Sequence, residues 1–150
     1  MSNTWFTKEI DFKYYANKVA QWNELGYGKV TVTPELLDSK WGLVIEESSE
    51  VVESLLAEDK EGFLKEVIDT FVVGSYYSIL KNGKFPSDKS WVGMTNQLSA
   101  NMPMSYLVGH MQTGVAKKDI SVVLQATCAI LLKAYADVDG AIKEVLRSNM

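Results

Sequence analysis

The chain has 150 residues, 47% of them apolar and 23% charged, a composition typical of a single globular domain over residues 1–150 and not of a disordered segment. Its net charge of −4 argues against a nucleic-acid polymer as partner, because such proteins usually carry clustered lysine and arginine. No signal peptide or membrane-length apolar run is visible, and one cysteine excludes an internal disulfide framework, so we expect a cytoplasmic location and no membrane contact.

Helical periodicity dominates the first part of the chain. Apolar residues recur at helical spacing after Asp11, which can cap a helix that ends near Gly26. After a connector, Thr33 provides an N-cap and Pro34 the first position of a second helix, which we expect to run to about Ala57.

Helices are also predicted in the rest of the chain. A short turn leads into a third helix over about 61–80, and residues 81–88 form the clearest loop. Residues 90–118 show only helical fragments, interrupted by a proline and two glycines. Another helix begins at Asp119, and a final amphipathic segment follows Gly140. The sequence therefore predicts an all-α bundle of about five or six helices.

Two acidic clusters lie within helices that otherwise carry apolar stripes. The first contains Glu46, Glu47 and Glu50, and the second contains Glu66 and Asp69. Residues three apart are neighbours on a helix surface, so Glu47 pairs with Glu50 and Glu66 with Asp69. A short turn makes the two helices antiparallel neighbours, and the pairs lie at similar distances from it. We therefore expect the two pairs to face each other across the helical hairpin.

These acids have two interpretations, a solvated acidic face and a cation site. Hard cations such as Mg²⁺ bind through a few carboxylates, water and phosphate oxygens. No lysine or arginine occurs in residues 41–59, so the acids of the first helix lack the basic i,i+4 partners common on a solvated face. This absence favours the cation site.

The acidic spacing resembles the signature of a known family. Glu-Glu-x-x-Glu at 46–50, fifteen residues and Glu-x-x-Asp at 66–69 are similar to the motif of the all-α nucleoside triphosphate pyrophosphohydrolases, the MazG-like proteins. That superfamily includes dimeric dUTPases and phosphoribosyl-ATP pyrophosphohydrolase. Residues 145–150 also resemble the C-terminal segment of the family, whereas residues 85–118 do not match it.

The resemblance implies an enzyme that uses Mg²⁺, or Mn²⁺ in its place, to hydrolyse a (deoxy)nucleoside triphosphate to the monophosphate and pyrophosphate. It implies that Glu47, Glu50, Glu66 and Asp69 are the metal ligands. The expected catalytic residues are Glu46, Glu47 and Glu50; Glu46 would hold or deprotonate the attacking water, or act from outside the ligand set. The resemblance also implies that the active site lies on the helical hairpin and that a homodimer or homotetramer completes the bundle.

Four residues outside the hairpin are expected to contact the substrate. By the same resemblance, Arg147 and Asn149 would contact phosphate or sugar oxygens, and Lys133 would assist. Trp22 could stack on the base, although aromatic residues at helical spacing are also typical of a core. Family members often continue past this asparagine to a phosphate-binding lysine, so either that lysine lies beyond residue 150 or Lys133 or Lys143 supplies the charge.

Two other functions are compatible with an acidic helical bundle. A carboxylate-bridged di-iron or di-manganese protein needs Glu-x-x-His pairs, and neither cluster has a histidine three residues further on. A helical module that binds a nucleotide or a partner without turnover is the stronger alternative, because the phosphate-binding lysine and the middle of the chain do not match the family.

Overall fold

The structure, a computed structural model, describes residues 10–27, 30–134 and 137–148, without the side chains of 25–27, 138–139 and 148. Over these ranges it contains seven helices and no strand, which confirms the all-α bundle. The helices are α1 (Phe12–Tyr27), α2 (Pro34–Leu56), α3 (Lys60–Asn82), α4 (Lys89–Asn101), α5 (Met104–Ala116), α6 (Ile120–Ala134) and α7 (Val138–Ser148). Within these ranges, none has the length and apolarity needed to span a membrane.

The described residues form seven helices, whereas the sequence predicts five or six, because the region 90–118 contains two helices, α4 and α5. The break between α4 and α5 falls at Met102 and Pro103, both with extended backbone, since a residue before proline is driven out of the helical region. Gly109 and Gly114, which the sequence predicts to interrupt helical structure, lie inside α5. A single glycine weakens a helix by only about 1 kcal/mol, and packing against α6 offsets that cost.

The hairpin formed by α2 and α3 begins and turns at capping residues. Thr33 Oγ1 accepts a hydrogen bond of 3.1 Å from the backbone N–H of Leu36, as the predicted N-cap requires. Asp59 caps α3 in the same way, accepting from the N–H of Gly62 at 3.0 Å. With only Ala57 and two further residues between the helices, α2 and α3 are held as antiparallel neighbours.

The turn at the end of α2 forces Glu58 into the left-handed region. The N–H of Asp59 donates to Ser54 O and that of Glu58 to Leu55 O, both at 3.1 Å, which is the paired pattern of a Schellman motif. This pattern requires a positive φ at Glu58, and its φ is 57°. Glycine usually occupies this position, because a side chain there costs roughly 1–2 kcal/mol.

We therefore expect Glu58→Gly to stabilise the protein by about 0.5–1 kcal/mol, the relief of strain being offset in part by the greater freedom of glycine in the unfolded chain. The measurement is urea unfolding followed by circular dichroism. Gly83→Ala is the opposite control, because Gly83 ends α3 with a φ of 77° and alanine there should lower the free energy of unfolding. Equal stability of wild type and both variants would contradict the prediction.

Helix α3 lies at the centre of the bundle, in contact with α1, α2, α6 and α7. Aromatic residues of α3 pack against neighbouring parts of the bundle. The ring of Phe71 lies 5.6 Å from that of Phe12 on α1 and 5.8 Å from that of Phe85 in the loop after α3. The Tyr77 ring lies 5.0 Å from that of Trp41 on α2. The contact between Tyr77 and Trp41 at one end of the hairpin and the short turn at the other hold α2 and α3 in a fixed register.

Candidate metal centre

The two acidic pairs are symmetric about the turn of the hairpin. Glu47 and Glu50 lie eleven and eight residues before Glu58, and Glu66 and Asp69 lie eight and eleven residues after it. Since both helices rise 1.5 Å per residue, this symmetry places Glu47 level with Asp69 and Glu50 level with Glu66. The expected juxtaposition of the two pairs therefore follows from helix geometry once the turn is fixed.

Three of these carboxylates converge in the structure. One oxygen atom each from Glu47, Glu66 and Asp69 forms a group in which all the atoms lie within 4.8 Å of one another. Oxygens bound to one cation at about 2.1–2.4 Å can be no more than about 4.2–4.8 Å apart. The three carboxylates therefore lie at separations close to those that a single divalent cation spans.

Glu50, the fourth predicted ligand, lies one turn further along α2. Its carboxyl contributes to raising the pKa of both Glu47 and Glu66, so it lies near both. The structure thus brings three of the predicted ligands together and places Glu50 near them, outside the group of converging oxygens. Glu46, predicted as a catalytic residue, is exposed on the outer side of α2 and does not belong to the group of converging oxygens.

The electrostatics of the cluster oppose full ionisation. Burial raises the pKa of Glu47 to about 8, and the negative charges of Asp69 and Glu50 act in the same direction. Burial is also the main cause of the raised pKa of Glu66, followed by its hydrogen bond with Glu50. Carboxylates that share a half-buried site cannot all be charged without a compensating cation.

Two carboxylate oxygens in the cluster lack the partners that buried atoms normally have. Among the described residues, Glu47 Oε2 and Glu66 Oε2 are buried without a hydrogen-bond partner, although buried polar atoms are almost always paired. Hard divalent cations bind such anionic oxygens directly. The donor set, all carboxylate and without histidine or thiolate, fits Mg²⁺ or Mn²⁺ better than softer metals.

Among the described residues, the basic side chain of Lys65 contacts the cluster, which the sequence prediction does not include. Lys65 Nζ lies 3.3 Å from Asp69 Oδ2 and 3.6 Å from Glu66 Oε1. The absence of basic residues holds for residues 41–59 on the helix of the first pair. On α3, the i,i+4 spacing of Lys65 and Asp69 is the sequence signal for this ion pair. The acids of α2 do lack such a partner within their own helix, as the sequence indicated.

The predicted substrate contacts lie on other helices. Arg147 on α7 is exposed and forms an ion pair with Glu144, while Lys133, in the last turn of α6, and Trp22, on α1, are half-buried. Across the described ranges, no hydrogen bond or ion pair joins these three residues to the four acids. Asn149 lies outside the described residues.

A scan against protein-family models and searches of curated proteins and of solved structures find no match. The chemistry that the acids can perform is therefore inferred from their geometry and from the motif they resemble.

Proposed function

We propose that the protein is a Mg²⁺-dependent hydrolase that converts a (deoxy)nucleoside triphosphate to the monophosphate and pyrophosphate. The observation that carries the proposal is the convergence of carboxylate oxygens from Glu47, Glu66 and Asp69 within 4.8 Å, with Glu50 beside them. The resemblance of the acidic spacing to the MazG-like signature supplies the reaction class.

In this proposal, Glu47, Glu50, Glu66 and Asp69 hold the metal. When bound, Mg²⁺ supplies positive charge that offsets the phosphate oxygens and lowers the pKa of a bound water molecule. Glu46, which is exposed on α2, would hold or deprotonate the attacking water, or act from outside the ligand set. The helical hairpin keeps the donors in register, because its turn is fixed by caps at both helix ends.

The substrate is proposed to be anionic, although the protein carries a net charge of −4. Four clustered acids repel a triphosphate, so substrate binding requires that the metal reverse the local field. Arg147, Asn149 and Lys133 are proposed contacts to phosphate or sugar, and Trp22 to the base.

We further propose a homodimer or homotetramer, supported by large apolar side chains on the outer side of α2. Ile45 is 47% exposed and Leu56 78% exposed, and a second copy of the chain would cover such residues in an oligomer. A cytoplasmic location is proposed from the single cysteine, Cys128, which is a buried free thiol, since free thiols are typical of reducing compartments.

The test is hydrolysis of each common (deoxy)nucleoside triphosphate with Mg²⁺ in ¹⁸O-labelled water. We expect the monophosphate and pyrophosphate as products and a requirement for the metal, with the label in the monophosphate if water attacks the α phosphorus. Release of inorganic phosphate would contradict cleavage between the α and β phosphates. Binding of nucleotide without turnover in Mg²⁺ and in Mn²⁺ would favour the non-catalytic module.

A further inference from the structure

The ammonium group of Lys65 lies on the solvent side of the acidic cluster. Its ammonium nitrogen bridges Asp69 Oδ2 and Glu66 Oε1, at 3.3 and 3.6 Å. The Lys65 side chain is 68% exposed, whereas those of Glu66 and Asp69 are 16% and 19% exposed. The lysine therefore neutralises two mostly covered acids from the solvent side.

Another cation can replace Lys65 as the partner of these two carboxylates. A lysine that remains mostly in water gains little from a carboxylate partner, because solvent screens the attraction and the long side chain loses freedom. A divalent cation bound between the Asp69 and Glu66 carboxylates would lie close to the ammonium and repel it. The four-carbon stem allows the ammonium to turn outward into solvent, where a phosphate group of an incoming nucleotide can meet it.

We propose that Lys65 is an exchangeable counter-cation: it neutralises Asp69 and Glu66 in the metal-free protein, and metal binding transfers its ammonium to a phosphate group of the nucleotide. The inference rests on the proposed function and adds a substrate contact beside the metal ligands. Lysine is a common point-charge partner of phosphate. Lys65 would then supply the phosphate-binding charge for which the resemblance left three alternatives: Lys133, Lys143 or a lysine beyond residue 150.

The first test is Mn²⁺ binding without nucleotide, measured by the electron paramagnetic resonance of free Mn²⁺. Lys65→Gln removes the competing charge, so we expect it to bind Mn²⁺ about 3–10-fold more tightly than wild type. Lys60→Gln is the matched control, because it removes the same charge from the same helix about 8 Å along the axis. At physiological salt its effect should stay below about twofold.

The second test separates this inference from a purely structural role. At saturating Mn²⁺ we expect Lys65→Gln to raise KM for the nucleotide about 10-fold and to change kcat less than about twofold, because a contact made equally before and during the reaction affects binding alone. Mn²⁺ affinity equal to or weaker than that of wild type, or an unchanged KM, overturns the inference while the proposed function stands. No Mn²⁺ binding by wild type overturns both.

Discussion

Replacing Asp69 by Asn, or Glu50 by Gln, is expected to lower nucleotide turnover by about 10²–10³-fold without loss of helix content. Each substitution keeps the size of the side chain and removes one negative charge from the metal's ligands. A neutral amide is a poorer partner for a hard cation than a carboxylate. Turnover is measured by pyrophosphate release and helix content by circular dichroism.

The matched control for Glu50→Gln is Glu53→Gln, on the same helix. Glu53 is exposed and stands one turn further from the metal ligands toward the end of α2, so its replacement changes net charge equally without touching the cluster. We expect its turnover to remain within about twofold of wild type. Full activity in both Asp69→Asn and Glu50→Gln would refute the ligand assignment.

The second large effect concerns the stability of the metal-free protein at different pH. Burial and neighbouring acids raise the pKa of Glu47 from 4.5 to about 8, so between these values the folded chain holds a proton that the unfolded chain has lost. The contribution of Glu47 to the free energy of unfolding is therefore greatest below about pH 4.5. It falls as the pH rises between 4.5 and 8, and it is lost above about pH 8. The raised pKa of Glu66 acts in the same direction.

Glu47→Gln should abolish this loss, because the amide cannot ionise and can donate a hydrogen bond to a neighbouring carboxylate. At pH 8.5 with a chelator we expect the variant to be more stable than wild type by roughly 1–2 kcal/mol, allowing for partial exposure to solvent, or about 2–6 °C in Tm. At pH 5 the difference should disappear.

Thermal unfolding of wild type, Glu47→Gln and Glu46→Gln at both pH values provides the measurement. Glu46 is exposed beside Glu47, so its replacement should leave the pH dependence unchanged. A Glu47→Gln variant that is less stable than wild type at pH 8.5 would contradict the prediction, because it would show that the ionised carboxylate stabilises the fold. Titratable groups with strongly shifted pKa values, as predicted for Glu47, are typical of functional sites.

The hairpin and its acids could be predicted from the sequence because their determinants are local. The cap at Thr33, the proline after it and the i,i+3 spacing of Glu66 and Asp69 each specify geometry within one or two turns. Once two helices are joined by a short turn, equal distances from that turn fix which acids meet. No knowledge of the other helices is needed.

What the sequence did not reveal depends on tertiary packing or on unusual turn chemistry. Residues 90–118 form two helices because α4 and α5 both pack against α6, a contact that no local pattern contains. Glu58 occupies a position where glycine is usual, so the Schellman turn had no sequence signal. The ion pair of Arg147 with Glu144 is different, because its i,i+3 spacing within α7 is visible in the sequence.

Calorimetric titration of the metal-free protein with Mn²⁺ at pH 7, in buffers of different ionisation enthalpy, tests most directly whether the four acids form a cation site. With a pKa of about 8, Glu47 must lose its proton when the metal binds. We predict saturable binding with proton release in wild type, and loss of both in Glu47→Gln combined with Asp69→Asn. Absence of binding in wild type, or equal binding by the double variant, would contradict the site.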